Sequence, residues 1–364
     1  MDFELSDDQL ALRDGARELL DRLAPTARVR KVVEAGGGYD GELWAAMVEQ
    51  GWTALELPES AGGLGLGTVE TAVLLEEVGR HVAPAPFLST VLTLGALHRA
   101  GDDERVGDLL ATGSIGCVAW SAAHDAVRAE RAGDGWVLSG RPDPTLYAPS
   151  ASVAVVIALD AGADAPALFA VDLDAAGRPA REPAIDQTRE LGRLTFDRTP
   201  AVRLGDTDAV DALVDRGAAG VSAEMLGSAS RALDMAVEYA KDRVQFGRPI
   251  GSFQAVKHRC ADMLVDVEGM RSTVYWAAWC IGAGDPDASV SASTAKVWCS
   301  DAGKRVMASA LQVHGGVGFT WEHDLPLFLK RSQLDQLTFG DAAHHRRRLA
   351  AMLRPRVEAG ESVI

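Results

Sequence analysis

The chain has 364 residues, enough for one large core or two to three subdomains, and 47% of them are hydrophobic, which argues against disorder. A formal net charge of −16 leaves little basic face for binding nucleic acid, although a local basic groove for one phosphorylated ligand is still compatible with it. No apolar run reaches the roughly 18–20 residues that span a bilayer, the acidic start lacks a signal peptide's basic and apolar parts, and Cys117, Cys260, Cys280 and Cys299 form neither a C-x-x-C pair nor a zinc set with histidines. The expectation is a cytoplasmic protein with reduced structural thiols, no metal and no membrane or nucleic-acid partner.

Residues 1–112 read as an N-terminal helical domain. Ser6 caps a segment with Leu10, Leu12, Leu19 and Leu20 at helical spacing, and "DGELWAAMVEQGW" and "TVETAVLLEEVGRHVA" repeat the pattern. Between these two lies "PESAGGLGLG", residues 58–67, which fits neither a dinucleotide-binding nor a P-loop spacing and reads as a connector. Residues 113–206 change character: "IGCVAWSA", "GWVLSG", "SVAVVIAL", "PALFAVDL" and "LGRLTFD" are short β-prone runs punctuated by Gly, Pro and Asp, predicting a small antiparallel β domain. Residues 207–364 return to long helices. Val221, Met225, Ala229, Leu233 and Val237 recur every three to four residues. A second helix follows Ser252 as cap, a third runs from near Asp287 to about Leu311, and two more cover "LPLFLKRSQLDQL" and "AAHHRRRLAAMLR". The class is mainly α with a β insert, the last part being a four-helix bundle. No internal repeat is seen.

Two segments carry the chemistry. In "DRVQFGRPIGSFQAVKH", Arg243, Gln245 and Arg248 sit in a loop broken by Phe246-Gly247, and a guanidinium fork suits a pyrophosphate, as do the free N–H groups at the start of the next helix. In "QVHGGVGFTWEHDLPL", Gln312 offers a donor, and Gly315 and Gly316 let backbone approach something closely. On residue chemistry alone, the first also reads as a helix corner with solvated arginines and the second as a glycine-terminated helix.

Together with "EEVGRHVAPAPF" and "SAEMLGSASRALDMAVEYAKDR", these segments make the chain similar to the acyl-CoA dehydrogenase family over nearly its full length. The resemblance implies the same three-part fold, FAD, and oxidation of an acyl-CoA thioester to its α,β-enoyl form, in which a carboxylate takes the α proton and the flavin takes hydride. The α proton is weakly acidic, so loss of the base costs at least about 10²–10⁴-fold in rate. The family's glutamate occupies one of two places. An ungapped count from Arg331 puts one at Gly340, and the other, fourteen residues before Arg231, falls on Gly217. Asp341 is the weak substitute, also readable as a helix cap, with Glu224 and His344 nearby. Where relatives hold the flavin ring with "TEP…GSD" and "W-I-T-N" segments, this chain has "WSAAHDAV" and "RPDPTLYAPS", leaving Tyr147 and Trp120 as partial substitutes.

The set that the resemblance assigns to the ADP half of FAD is present: Arg243, Gln245, Phe246, Phe253, Gln254, Gln312, Val313, Gly315 and Gly316. In the family these loops reach the FAD of a neighbouring subunit. The chain is thus expected to complete the FAD site of a base-bearing homologue, as in the heteromeric enzymes of steroid side-chain degradation, or to pair with itself, with little activity alone. The alternatives are a self-sufficient dehydrogenase with an unusual base, a flavin monooxygenase of the same fold, and an acyl-CoA-binding or assembly protein without flavin.

Overall fold

The computed structural model describes residues 4–123 and 125–361. His124, inside the "WSAAHDAV" stretch, lies outside the described residues. The chain is mainly helical with a β region in the middle. By backbone proximity it gathers into two compact units, one of residues 1–29, 68–83 and 218–364, the other of residues 30–67 and 84–217.

The first unit begins with α1 (Asp7–Leu23), started by a reciprocal cap: Ser6 Oγ accepts the Gln9 N–H, and the Gln9 side chain accepts the Ser6 N–H. The helices α2 (Thr26–Glu34) and α3 (Gly41–Glu49) lead into the second unit. The first unit resumes with α4 (Thr68–Arg80).

The second unit contains α5 (Phe87–Arg99), α6 (Asp103–Thr112) and the strands β1 (Ile115–Ala119), β2 (Val127–Ala132), β3 (Gly135–Gly140), β4 (Thr145–Leu146), β5 (Ala151–Asp160) and β6 (Ala165–Asp172). A single helical turn α7 (Leu173–Ala176), β7 (Arg181–Glu182), β8 (Leu191–Gly192) and β9 (Phe196–Gly205) complete it. The main sheet runs β1-β5-β2-β3-β9-β6, and β6 also pairs back onto β5, so five of its strands close a ring. Its hairpin and long-loop pairs, such as β2–β3, β5–β6 and β3–β9, are antiparallel, while β1–β5 and β2–β5 are parallel. Leu94, Leu97, Val106, Leu109, Val153 and Ala170 form a core cluster shared by α5, α6 and the sheet.

The 36-residue α8 (Thr207–Asp242) passes from one unit to the other. After the short hairpin β10 (Val244–Gln245) and β11 (Arg248–Pro249) come α9 (Gln254–Ala283), α10 (Ala288–His314), α11 (Leu325–Leu337) and α12 (Ala342–Glu358). The helix expected to start at Ser252 starts at Gln254, because the Ser252 hydroxyl donates back to the Pro249 carbonyl and caps nothing. The α10 helix is buried through Ala292, Ala295, Ala302, Gly303 and Ala310, small residues that let α9, α11 and α12 all pack on it.

In the same unit, α4 and α8 touch backbone to backbone at two glycines. A Cβ on Gly79 would lie 1.9 Å from the Glu224 carbonyl oxygen, and one on Gly227 would lie 1.8 Å from the Glu76 carbonyl oxygen. Only hydrogen fits in either gap. Gly227→Ala is therefore expected to force the helices apart and to lower unfolding stability by about 1–3 kcal/mol, read from the midpoint of chemical denaturation.

Candidate functional site

The turn after α11 holds the first of the two expected base positions. Phe339 (φ 56°) and Gly340 (φ 95°) both adopt left-handed conformations, which an L residue enters only at a cost. A Cβ built on Gly340 would sit 2.6 Å from His344 Cδ2 and 3.0 Å from its Cγ, so the His344 ring fills the space where a side chain at 340 would begin. Asp341 is committed as the N-cap of α12: its Oδ1 accepts the His344 N–H at 2.7 Å. That hydrogen bond is the first cause of a carboxyl pKa held below the usual range. Gly217, the second expected base position, is a buried residue within α8. Glu224, two turns further along α8, is buried and lies 3.6 Å from the fully buried guanidinium of Arg331.

His345 fixes the turn from below. Its Nε2 faces the Phe339 carbonyl at 2.8 Å, and a carbonyl only accepts, so the proton is on Nε2 and Nδ1 accepts from Ser293 Oγ at 3.2 Å. Burial pushes the imidazole pKa down to about 3.

The predicted ADP-binding residues fall into two loops at one end of the bundle. Arg243, Gln245 and Phe246 are on the β10–β11 hairpin, and all three are exposed, Phe246 to 91%. Phe246 takes a left-handed φ of 53° with Gly247 behind it at 76°. Its ring meets Phe253 edge-on at 6.1 Å, and the Arg248 guanidinium lies 4.2 Å over Phe253, which precedes exposed Gln254 at the start of α9. In the second loop Gln312 and Gly316 are exposed, and Gly315 ends α10 with φ 62°. Val313 turns its side chain into the core. Phe319 and Trp321, just beyond, are each 71% exposed.

The sequence reading missed what joins these loops. Tyr239, four residues before Arg243, stacks on His314, next to Gly315, with centroids 4.7 Å apart, and His314 meets His323 edge-on at 4.6 Å. His323 Nδ1 accepts the Leu325 N–H and so supports the start of α11. The available signal was an aromatic residue and two histidines, all within segments already quoted, His314 and His323 in the second loop segment itself.

Tyr147, a partial substitute for the flavin-ring residues, is fully buried with φ 59°. Its hydroxyl donates to the Ala85 carbonyl at 2.9 Å and accepts from Arg189, so the ring is core structure. Trp120 is half-buried.

Comparison with known proteins places this arrangement. The family model described as the acyl-CoA dehydrogenase N-terminal domain matches residues 6–111, and the one described as the C-terminal domain matches residues 207–353. The acyl-CoA dehydrogenase IpdE2 of Mycolicibacterium smegmatis is 35% identical over 348 residues, covering 95% of this chain and 99% of its own. This chain belongs to the acyl-CoA dehydrogenase family. Among solved structures, the ChsE4-ChsE5 complex from Mycobacterium tuberculosis superposes with a TM-score of 0.90 at 30% identity, over 97% of this chain and 99% of that one. A variant of the Tcur3481-Tcur3483 steroid ACAD does so with the same TM-score and coverage at 31% identity. Among the described residues, no helix of this acyl-CoA dehydrogenase family member is long and apolar enough to cross a membrane.

The buried His345 makes the base-position turn sensitive to acid. The unfolded chain takes up a proton near pH 6.5, whereas the folded chain resists until about pH 3. The unfolded state therefore binds more protons across that window, and stability falls as pH drops from 6.5 toward 3. From pH 7 to pH 5 the wild-type chain is expected to lose about 1–2 kcal/mol more than His345→Asn, measured by denaturant titration at each pH.

Proposed function

We propose that the chain is the base-lacking subunit of a hetero-oligomeric, FAD-dependent acyl-CoA dehydrogenase, and that it completes the FAD site of a base-bearing homologue. The observation that carries this reading is Gly340: the residue has no side chain, its φ is 95°, and an imidazole fills the space where a side chain would begin. Its neighbour Asp341 is held as a helix cap, and Gly217 likewise offers no proton acceptor.

The outward loops fit the ADP half of FAD. Arg243 and Gln245 have exposed side chains with no hydrogen-bond partner among the described residues, and the exposed rings of Phe246, Phe319 and Trp321 rim the same end of the bundle. Donors and rings that face outward suit a ligand lodged in another subunit. In this reading Arg243, Gln245, Phe246, Phe253, Gln254 and Gln312 with the Gly315-Gly316 backbone hold the diphosphate and adenosine. FAD, when bound, supplies the hydride acceptor. The base comes from the partner. Two similar structures support a substrate class and an assembly: one is the ChsE4-ChsE5 complex, the other a variant of the Tcur3481-Tcur3483 steroid ACAD. An acyl-CoA with a steroid-like body, oxidised by a complex of two kinds of chain, is therefore the function assigned.

The purified chain alone should hold FAD weakly and turn over no acyl-CoA, and co-expression with a base-bearing homologue should yield a yellow, active complex. Dehydrogenation by this chain alone would sink the proposal, as would the absence of flavin absorbance from every complex it forms. Within the complex, Arg243→Ala is expected to weaken FAD binding by about tenfold or more while leaving assembly intact, read as flavin retained after dialysis.

A further inference from the structure

A cavity of about 720 Å³ lies within the unit formed by α1, α4, α9, α10, α11, α12 and the second half of α8. It is remote from the loops assigned to FAD: its α9 residue Arg271 lies 17 positions along the helix from Gln254, or about 25 Å at the α-helical rise. Its size falls in the range of small-molecule sites.

Four guanidiniums face it. Arg13 and Arg17 come from successive turns of α1, Arg80 from the end of α4 and Arg271 from α9. The carboxylates that pair with the first three are not part of the lining. Arg17 is bound by the buried Glu77 at 2.6 and 3.1 Å, Arg80 by Asp234 at 2.7 Å, and Arg13 by the adjacent Asp14 at 2.9 Å. Only Glu4 and Glu76 present carboxylates to the space, and Glu76 already accepts from Arg271 at 2.6 Å and from the Tyr275 hydroxyl at 2.7 Å. The wall therefore shows four guanidiniums, each also paired with a carboxylate, and two carboxylates. Each guanidinium carries five N–H donors, of which its ion pair uses one or two.

Ser230 on α8 supplies the second, independent observation. It lines the cavity, is 8% exposed, and its Oγ has no hydrogen-bond partner among the described residues. A buried hydroxyl without an acceptor is costly, and Ser230 stands in the wall of this cavity. Leu5, Leu10 and the Tyr275 ring give the same space an apolar side.

We propose that this cavity binds a small amphiphilic carboxylate, with its carboxylate among the arginines and Ser230 and its short apolar body against Leu5, Leu10 and Tyr275. It is a site for a free organic acid, separate from any thioester site. Calorimetric titration of the purified full-length chain tests this without flavin or turnover, so its outcome is independent of the proposed function. The probe is hexanoate, with hexanol and inorganic phosphate as comparisons. Hexanoate is expected to bind one per chain and more tightly than either comparison. Arg13→Gln, whose present partner is a surface aspartate, should weaken that binding about tenfold, and Ser230→Ala several-fold, with unfolding midpoints near the wild-type value. Absence of saturable hexanoate binding would overturn the assignment. So would hexanol or phosphate binding as tightly as hexanoate, or hexanoate binding that neither variant weakens. If one variant fails to fold, the other decides.

Discussion

Two buried cations pin α11, and the geometry of the base position depends on them. Arg331, wholly buried, donates to the carbonyls of Val82 and Ala83 at 3.3 Å each and faces Glu224. Lys296, also wholly buried, reaches from α10 to the Asp335 and Gln336 carbonyls at 2.8 and 3.0 Å. These carbonyls belong to the last turn of α11, where the helix dipole is negative and favours a cation. Desolvation lowers the ammonium pKa to about 8, so close to neutrality the charge is kept at a cost that its two carbonyl hydrogen bonds offset. With α11 held along its length and His345 bonded to Phe339, the turn at 338–341 has little freedom. The absence of a side chain at the expected base position is thus set in a rigid scaffold and not in a slack loop.

The two ends of the chemistry are treated differently by the same unit. Inside, the polar groups near Gly340 are satisfied by their own chain: Asp341 by a backbone N–H, His345 by Ser293 and Phe339. Outside, Arg243, Gln245 and Phe246 are displayed on a two-stranded hairpin whose left-handed Phe246-Gly247 pair turns the ring into solvent. Such a hairpin is marginal by itself; here it is short, anchored between two long helices, and edged by the Phe246–Phe253 contact.

Much of this could be read from the residues. The Ser6 cap, the long helices and the Asp341 cap follow from local pattern, because caps and periodicity are settled within four residues of chain. Local pattern also located both loops, since Gly and Arg mark them. It failed where distant segments decide. It also failed locally at Ser252, whose hydroxyl goes three residues back to the Pro249 carbonyl and caps nothing. The parallel partners of β5 are separated from it by intervening strands, and no alternation of residues encodes them. Tyr147 looked available to a flavin, and only the fold brings Ala85 and Arg189 to its hydroxyl. The stack of Tyr239 on His314, which holds the two loops side by side, joins residues 75 positions apart in sequence.

The left-handed backbone at Gly340 bears on how such a chain changes over time. A side chain is ordinarily gained by a single substitution. Here a glutamate at that position would inherit φ 95° and collide with the His344 ring, while the turn is clamped by Lys296 and His345. A carboxylate side chain at 340 would need the backbone and the imidazole to change with it. On the proposed reading, the backbone angle at Gly340 keeps the chain reliant on a partner for its base.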